Sequence, residues 1–342
     1  MTQYIVRRLI QAVPTLLGIT LISFFLVQAA PGDPITFLTF NPEASAEGTM
    51  RLRRQLGFDK PVYTQYIYWL VGNDWTRIDV DGDGTGDIWG TRKGLLRGDM
   101  GQSIVQKRPV LDLILERIPA TLQLMLSALI IGYGLGIPLG LFAAVRHGSI
   151  FDQSVRFFSV IGTALPSFWL GLLLIIIFSV ELKWLPLGGR RDLRRVDEAY
   201  NLWDTASHMI MPVSVLALGI IASISRYVRA EALEVMGEDY IRTARAKGLR
   251  ESTVFWQHIL RNALIPIATF LGPALGSLIG GSVIVEQVFS WPGMGRLVVT
   301  AMLQQDFPLI MGSVLVSTVL FVIGILVSDV LYGVLDPRVR YG

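Results

Sequence analysis

Residues 79–87 read Asp-Val-Asp-Gly-Asp-Gly-Thr-Gly-Asp, and carboxylates at alternate positions followed by glycine are a means of converging oxygens on a hard cation. Asp79, Asp81 and Asp83 supply carboxylates, Gly84 permits the sharp turn, Thr85 offers its backbone carbonyl, and Asp87 adds an oxygen directly or through water. Gly90 stands where an EF-hand carries its bidentate Glu, so the spacing resembles the shorter Asp-x-Asp-x-Asp-Gly-x-x-Asp calcium loops of extracellular proteins. The expectation is a structural Ca2+ of weak affinity, on the order of 10⁻⁴ to 10⁻³ M. Without a metal the same tract is an acidic turn, because Asp-Gly pairs favour turns unaided.

A second stretch with recognisable chemistry is "DYIRTARAKGL", residues 239–249. Asp239 is placed to cap a helix over Tyr240–Lys247, with Gly248 suited to the left-handed position that ends it. Tyr240, Ala244 and Gly248 then share one face, while Arg242 and Arg245 point elsewhere. Ser252 or Thr253 caps a following stretch, "VFWQHIL", whose apolar residues suit a membrane surface. Such a cationic helix serves nucleic acid, anionic lipid head groups or a protein partner. Its short length and double tether speak against nucleic acid, and Arg242, Arg245, Lys247 and Arg250 leave the lipid surface open beside the protein partner. Catalytic chemistry is not indicated. There is no cysteine, His147, His208 and His258 are scattered, and no Gly-Lys-Ser/Thr loop exists to cradle a nucleotide.

The elements that position these two stretches follow from hydropathy. Of 342 residues, 52% are hydrophobic and 17% charged, a balance that belongs in a membrane. Six uncharged runs, 9–32, 118–145, 157–180, 205–225, 262–285 and 307–328, are each long enough to cross ~30 Å of hydrocarbon as a helix. The first is too long for a signal-peptide core of ~7 to 15 residues, so it reads as an uncleaved span. Lys and Arg in the short connections favour a cytoplasmic N terminus, with "GGRRDLRR" at 188–195 dissenting. An even number of spans then returns the C terminus to the cytoplasm. The cationic stretch faces the cytoplasm, and the acidic tract lies outside, within an insertion over 33–117.

That insertion contains a 13-residue uncharged stretch, 61–73, rich in Tyr and Trp and too short to span; an outer interfacial helix is expected. Span two sets Ala128, Gly132, Gly136, Gly140 and Ala144 at intervals of four, and span five does the same with Gly272, Gly276 and Gly280. Such stripes let a neighbouring backbone approach, either as packing within one chain or as a face that moves against a partner. Pro138, Pro166 and Pro273 should kink their helices. The spans hold no Asp, Glu, Lys or Arg, which argues against a carrier driven by a coupling ion. If the chain moves solute uphill, the ATPase is a separate polypeptide that touches its cytoplasmic side.

"DYIRTARAKGL" followed by "RNALIP" resembles the cytoplasmic loop signature of binding-protein-dependent ABC importer permeases, in the dipeptide/oligopeptide branch. Further segments resemble the same branch: "YIVRRLIQAVPTLLGITLISFFLVQAAPGDP", "QLGFDKPVYTQYIYWL", "GDMGQS", "VFSWPGMGRL", "QQDFPLIMGSV" and "DVLYGVLDPRVR". The wider family pattern of Glu-Ala-Ala, three residues and Gly is imperfect here: Arg242-Thr243-Ala244 and Gly248 take its places. The acidic tract departs from the family, most of whose members pass from the tyrosine-rich helix to "GD-x-G-x-S" with far fewer residues.

The resemblance implies an all-α membrane protein of six transmembrane helices with the type I importer permease fold and a large extracytoplasmic insertion. Residues 1–32 hold the N terminus and first span, 33–117 the insertion, and 118–342 a five-helix core with the coupling loop at 226–262. It also implies that Asp239, Tyr240, Ile241, Arg242, Ala244, Arg245, Lys247 and Gly248 form a coupling helix seated on an ATPase subunit. Implied partners are a second homologous permease, two ATPase subunits, an extracytoplasmic solute-binding protein and the lipid of a prokaryotic inner membrane, but no nucleic acid. Such a subunit is not itself an enzyme. The substrate class implied is peptide, with nickel chelates and glutathione as alternatives within the family and an energy-independent channel outside it. The residues that line the pathway are unknown.

Overall fold

The computed structural model describes residues 2–29, 46–192, 202–264, 267, 274 and 282–335. They fall into two compact units, one within Val6–Ile118 and Leu297–Val319, the other within Met1–Ile5, Pro119–Arg296 and Leu320–Gly342.

The first unit contains α1 (Thr2–Ala29), α2 (Ala46–Gln55) and α3 (Val62–Leu70). α3 is the expected tyrosine-rich helix. It packs on the end of α1, where Phe24 meets Tyr66 at 5.3 Å and Trp69 at 6.4 Å between ring centroids and the Thr20 and Tyr66 hydroxyls lie 3.1 Å apart. The all-helical expectation needs one correction: β1 (Arg77–Ile78) and β2 (Ile88–Trp89) pair antiparallel, with Arg77 opposite Trp89 and Ile78 opposite Ile88. The Arg77 guanidinium sits 5.0 Å from the Trp89 ring centre, a cation–π contact that helps to hold so short a ladder. Thus the acidic tract is the loop of a hairpin.

In the second unit, α4 (Val110–Val145), whose first turns belong to the other unit, lies along α7 (Leu202–Gly237). The stripe on span two makes this contact. A Cβ on Gly132 would stand 2.5 Å from Ile220 Cγ2, on Gly136 3.1 Å from Ile224, and on Gly140 2.5 Å from the Ser225 carbonyl oxygen. Ala128 and Ala144 are buried in the same row, so the stripe is packing within one chain. Pro119 and Pro138 both lie inside α4, which runs on past them.

The third run is broken. α5 (Ile150–Ala164) and α6 (Ser167–Leu174), which continues as a π-helical segment to Glu181, meet at 99°. Leu165 takes φ −75° and ψ 126° because the ring of Pro166 disfavours the helical region for the residue before it. Among the described residues, four helices are long and apolar enough to cross a membrane, within Val6–Ala29, Val110–Val145, Leu202–Gly237 and Phe307–Val327, and the bent pair forms either a broken fifth span or a re-entrant loop. Most of the run 262–285, including Pro273, Gly272, Gly276 and Gly280, lies outside the described residues.

Candidate functional site

The loop after α7 is built from α8 (Asp239–Ala246), α9 (Glu251–Thr253) and a π-helical segment, Val254–Ile259. Gly248 has φ +74°, the left-handed conformation expected of the residue that ends α8. The cap at the other end differs from expectation. Glu238 occupies the N-cap without a side-chain hydrogen bond, and Asp239 is the first helical residue, its carboxylate exposed and 3.5 Å from Arg242. An acid at the first helical position still favours the positive end of the helix dipole.

Ile241 and Ala244, three residues apart, are 0% and 7% exposed. They join Leu141 and Ala144 of α4, Ile224, Val228 and Ala232 of α7, and Val254 and Ile259 in a single apolar cluster. Ala244 therefore faces its own chain and does not share an open face with Tyr240 and Gly248. Small volume lets α8 lie close to α4 and α7, and size is what the position demands. Tyr240, Arg242, Arg245, Lys247 and Gly248 remain exposed. Arg245 is turned along the loop, its Nε donating to Glu251 Oε1 at 2.9 Å. Phe255 stacks on Phe142 of α4 at 6.5 Å, which anchors the following segment. The result is a short cationic helix clamped from behind.

The clamp extends to the next helix. Asp152, 1% exposed in the first turn of α5, accepts from both Arg229 Nε and Arg229 Nη2, the latter at 2.8 Å, and from Gly148 N at 3.0 Å. The Ser159 and Ser225 hydroxyls meet at 3.0 Å further along the same two helices. α5 and α7 are thus bonded to each other at two levels, and α8 packs against α7.

In the hairpin loop, the nearest oxygens of Asp79, Asp81 and Asp87 lie within 4.8 Å of one another. Gly84, at φ +88°, donates its N–H to Asp79 Oδ2 at 3.0 Å, and Val80 N donates to Asp87 Oδ2 at 2.9 Å. Asp83 is not gathered with the other three. Its Oδ1 accepts from Thr85 N at 2.7 Å and Thr85 Oγ1 at 2.6 Å, bonds that also hold its carboxyl below the ordinary range. Of the four carboxylates expected from spacing, those of Asp79, Asp81 and Asp87 are gathered.

Like Asp152, two further buried acids escaped the sequence reading. Glu286, in α10 (Val283–Val288), is fully buried and accepts from Thr121 Oγ1 at 2.9 Å and Arg296 N at 3.0 Å. Thr121 in turn accepts from Met294 N, which begins α11 (Met294–Leu303), at 2.7 Å, and Trp291 Nε1 donates to the Ala120 carbonyl at 2.8 Å. A Cβ at Gly293 would collide with the Glu286 carboxylate, which accounts for the glycine in "WPGMG". In the other unit Asp306, also fully buried, precedes α12 (Phe307–Leu335) and accepts from Ser103 Oγ, Ile104 N at 3.1 Å and Val105 N at 3.3 Å. It fixes the "GQS" segment at the head of that helix.

Residues 136–341 match the family described as binding-protein-dependent transport system inner membrane component, and residues 1–125 match the N-terminal region of such membrane components. The oligopeptide transport system permease protein AppB of Bacillus subtilis is 43% identical over 342 residues, covering 100% of both chains. The dipeptide transport system permease protein DppB of Escherichia coli K12 is 38% identical, covering 100% of this chain and 99% of its own. Among solved structures, an inward-facing MetNI methionine ABC transporter chain superposes with a TM-score of 0.52 at 20% identity, over 66% of this chain and 97% of that one, and shows a shared fold. By these matches over its whole length, the chain belongs to the binding-protein-dependent transport system inner membrane components, the multi-pass permease subunits of ABC importers.

Proposed function

We propose that the chain is one permease subunit of an ATP-driven peptide importer, working with a second homologous permease, two ATPase subunits and an extracytoplasmic solute-binding protein. The observation that carries the peptide assignment is likeness over the whole length to permeases named for oligopeptides and dipeptides. α8 is the coupling element in this reading. Ile241 and Ala244 transmit force into the chain's own core, while the exposed Tyr240, Arg242, Lys247 and Gly248 seat on the ATPase. Closure of the ATPases on nucleotide draws α8 with α7 and α5, a rigid-body rocking of packed helices.

Six spans, cytoplasmic termini and an outer insertion over 33–117 that receives the binding protein complete the proposal. Asp79, Asp81 and Asp87 hold a structural Ca2+ that stiffens the hairpin. Its removal by a chelator lowers the unfolding temperature of the wild-type protein and leaves an Asp79→Asn, Asp81→Asn variant unmoved; equal curves with and without chelator would refute it. For the importer itself, the test is co-purification with a P-loop ATPase and loss of labelled-peptide uptake on ATP depletion. Uptake that persists without ATP would assign an energy-independent channel. Competition by a nickel chelate or glutathione, with none by peptides, would move the substrate within the family.

A further inference from the structure

In the unit formed by Val6–Ile118 and Leu297–Val319, the outer segment and two membrane helices enclose a cleft of about 470 Å³, including its open mouth. One wall is α1 and α12, through Phe24, Gln28, Phe307 and Met311; the other is the outer segment, with Phe58, Trp69 and Arg92. Phe24 stands near the C-terminal end of the first apolar span and Phe307 begins the last, so the cleft opens at one edge of the hydrocarbon layer. Aromatic residues and an arginine are the usual company of lipid head groups at that depth.

Two donors in this cleft lack an acceptor suited to them. Trp69 is 8% exposed, and its buried Nε1 has no hydrogen-bond partner among the described residues. A buried indole N–H usually finds an acceptor, and an unmet one is costly. Arg92 is the only charged residue among the described lining residues. Its Nη2 reaches the Leu56 carbonyl at 3.3 Å, and it makes no ion pair among the described residues. Asp99, whose charge acts on it, spends its oxygens on Lys93 N and Gly101 N, each at 2.9 Å. Burial acts against the charge on Arg92, and the nearby Asp99 carboxylate offsets it only in part.

We propose that this cleft binds an anionic phospholipid of the adjoining leaflet, its phosphate accepting from Arg92 and Trp69 Nε1 and its acyl chain lying along Phe24 and Met311. An anion with an apolar tail satisfies both walls, whereas a hydrophilic anion leaves the aromatic wall uncovered. The lipid would brace the outer segment against the ends of α1 and α12, and so tune a surface that meets solute on its way in. This site is independent of which solute is carried.

The test uses the full chain in its assembled transporter, equilibrated in vesicles of equimolar phosphatidylglycerol and phosphatidylcholine, then washed in detergent and analysed for retained lipid by native mass spectrometry. Wild type should retain phosphatidylglycerol selectively. Arg92→Gln should lower that retention about tenfold, the scale of one charge-assisted hydrogen bond. Trp69→Phe, which keeps the ring and removes only the donor, should lower it less, and keeps the proposal testable if the arginine variant folds poorly. Arg51→Gln, the same charge loss at a side chain 55% exposed, should change nothing. Retention equal to wild type in both cleft variants would overturn the proposal. So would displacement of the lipid by inorganic phosphate, which marks a general anion site, or by transported peptide, which assigns the cleft to solute.

Discussion

Ala244→Asp and Arg242→Glu alter α8 on opposite sides, and the structure gives them opposite consequences. Ala244 is 7% exposed within the cluster formed with Ile241, Val228 and Val254, so a carboxylate there is buried without a partner. The cost is about 3 kcal/mol or more, limited by uptake of a proton. That is a large share of the ~5 to 15 kcal/mol by which a typical protein is stable. Arg242 is 74% exposed and its ion pair with Asp239, at 3.5 Å, is worth at most about 1 kcal/mol. Membrane abundance, unfolding temperature in detergent and ATP-driven uptake per copy should be measured on both. The aspartate variant should fall in abundance and unfolding temperature. The glutamate variant should keep both and lose uptake together with ATPase co-purification. An aspartate variant with wild-type stability and defective uptake would put Ala244 on the docking face and refute the reasoning, as would normal uptake after Arg242→Glu.

Other substitutions probe the packing that supports this loop. Gly140→Ala should destabilise by about 1 to 3 kcal/mol, since its Cβ would stand 2.5 Å from the Ser225 carbonyl oxygen, whereas Gly134→Ala, with nothing within 4 Å, should be neutral or stabilising. Thermal unfolding of the pair reads the difference; equal curves would mean that α4 and α7 do not meet as described. Arg229→Ala leaves Asp152, 1% exposed, without its cation and should cost about 3 to 5 kcal/mol, seen as loss of folded protein in the membrane. Asp306→Ala leaves Ser103 Oγ, Ile104 N and Val105 N without their acceptor and should speed proteolytic cleavage near residues 103–107, while sites in α2 are unaffected.

Four of the six expected spans were legible as unbroken helices among the described residues because a membrane helix needs a long run without charge, and hydropathy reads that requirement directly. Pro166 announced a break in the third run, yet a proline states where a helix must end and not that its continuation leaves at 99°. α8 was legible as a helix and Gly248 as its stop. Its orientation was not, because alanine suits both a close approach to one's own core and a partner's groove, and only the Ile241 neighbour, buried with it, decides. Likewise alternate spacing gathered four aspartates, but the hydroxyl of Thr85 captured Asp83, a local bond that a spacing rule does not weigh.

The buried acids mark a deeper limit. Glu286 and Asp306 each stand at the border of an uncharged run, where a charge serves the reader of a sequence as a boundary. In the structure both are fully buried, because partners distant in the chain meet them: Thr121 for Glu286, and Ser103 to Val105 for Asp306. A carboxylate is tolerated there only where donors converge on it. Such an acid fixes two distant segments relative to each other, as one packed apolar residue does not, because losing any donor leaves a charge unmet. The end of a span is where helix meets loop and where rocking would have to be resisted or released. Directional bonds from a buried acid hold that junction more strictly than apolar contacts that slide.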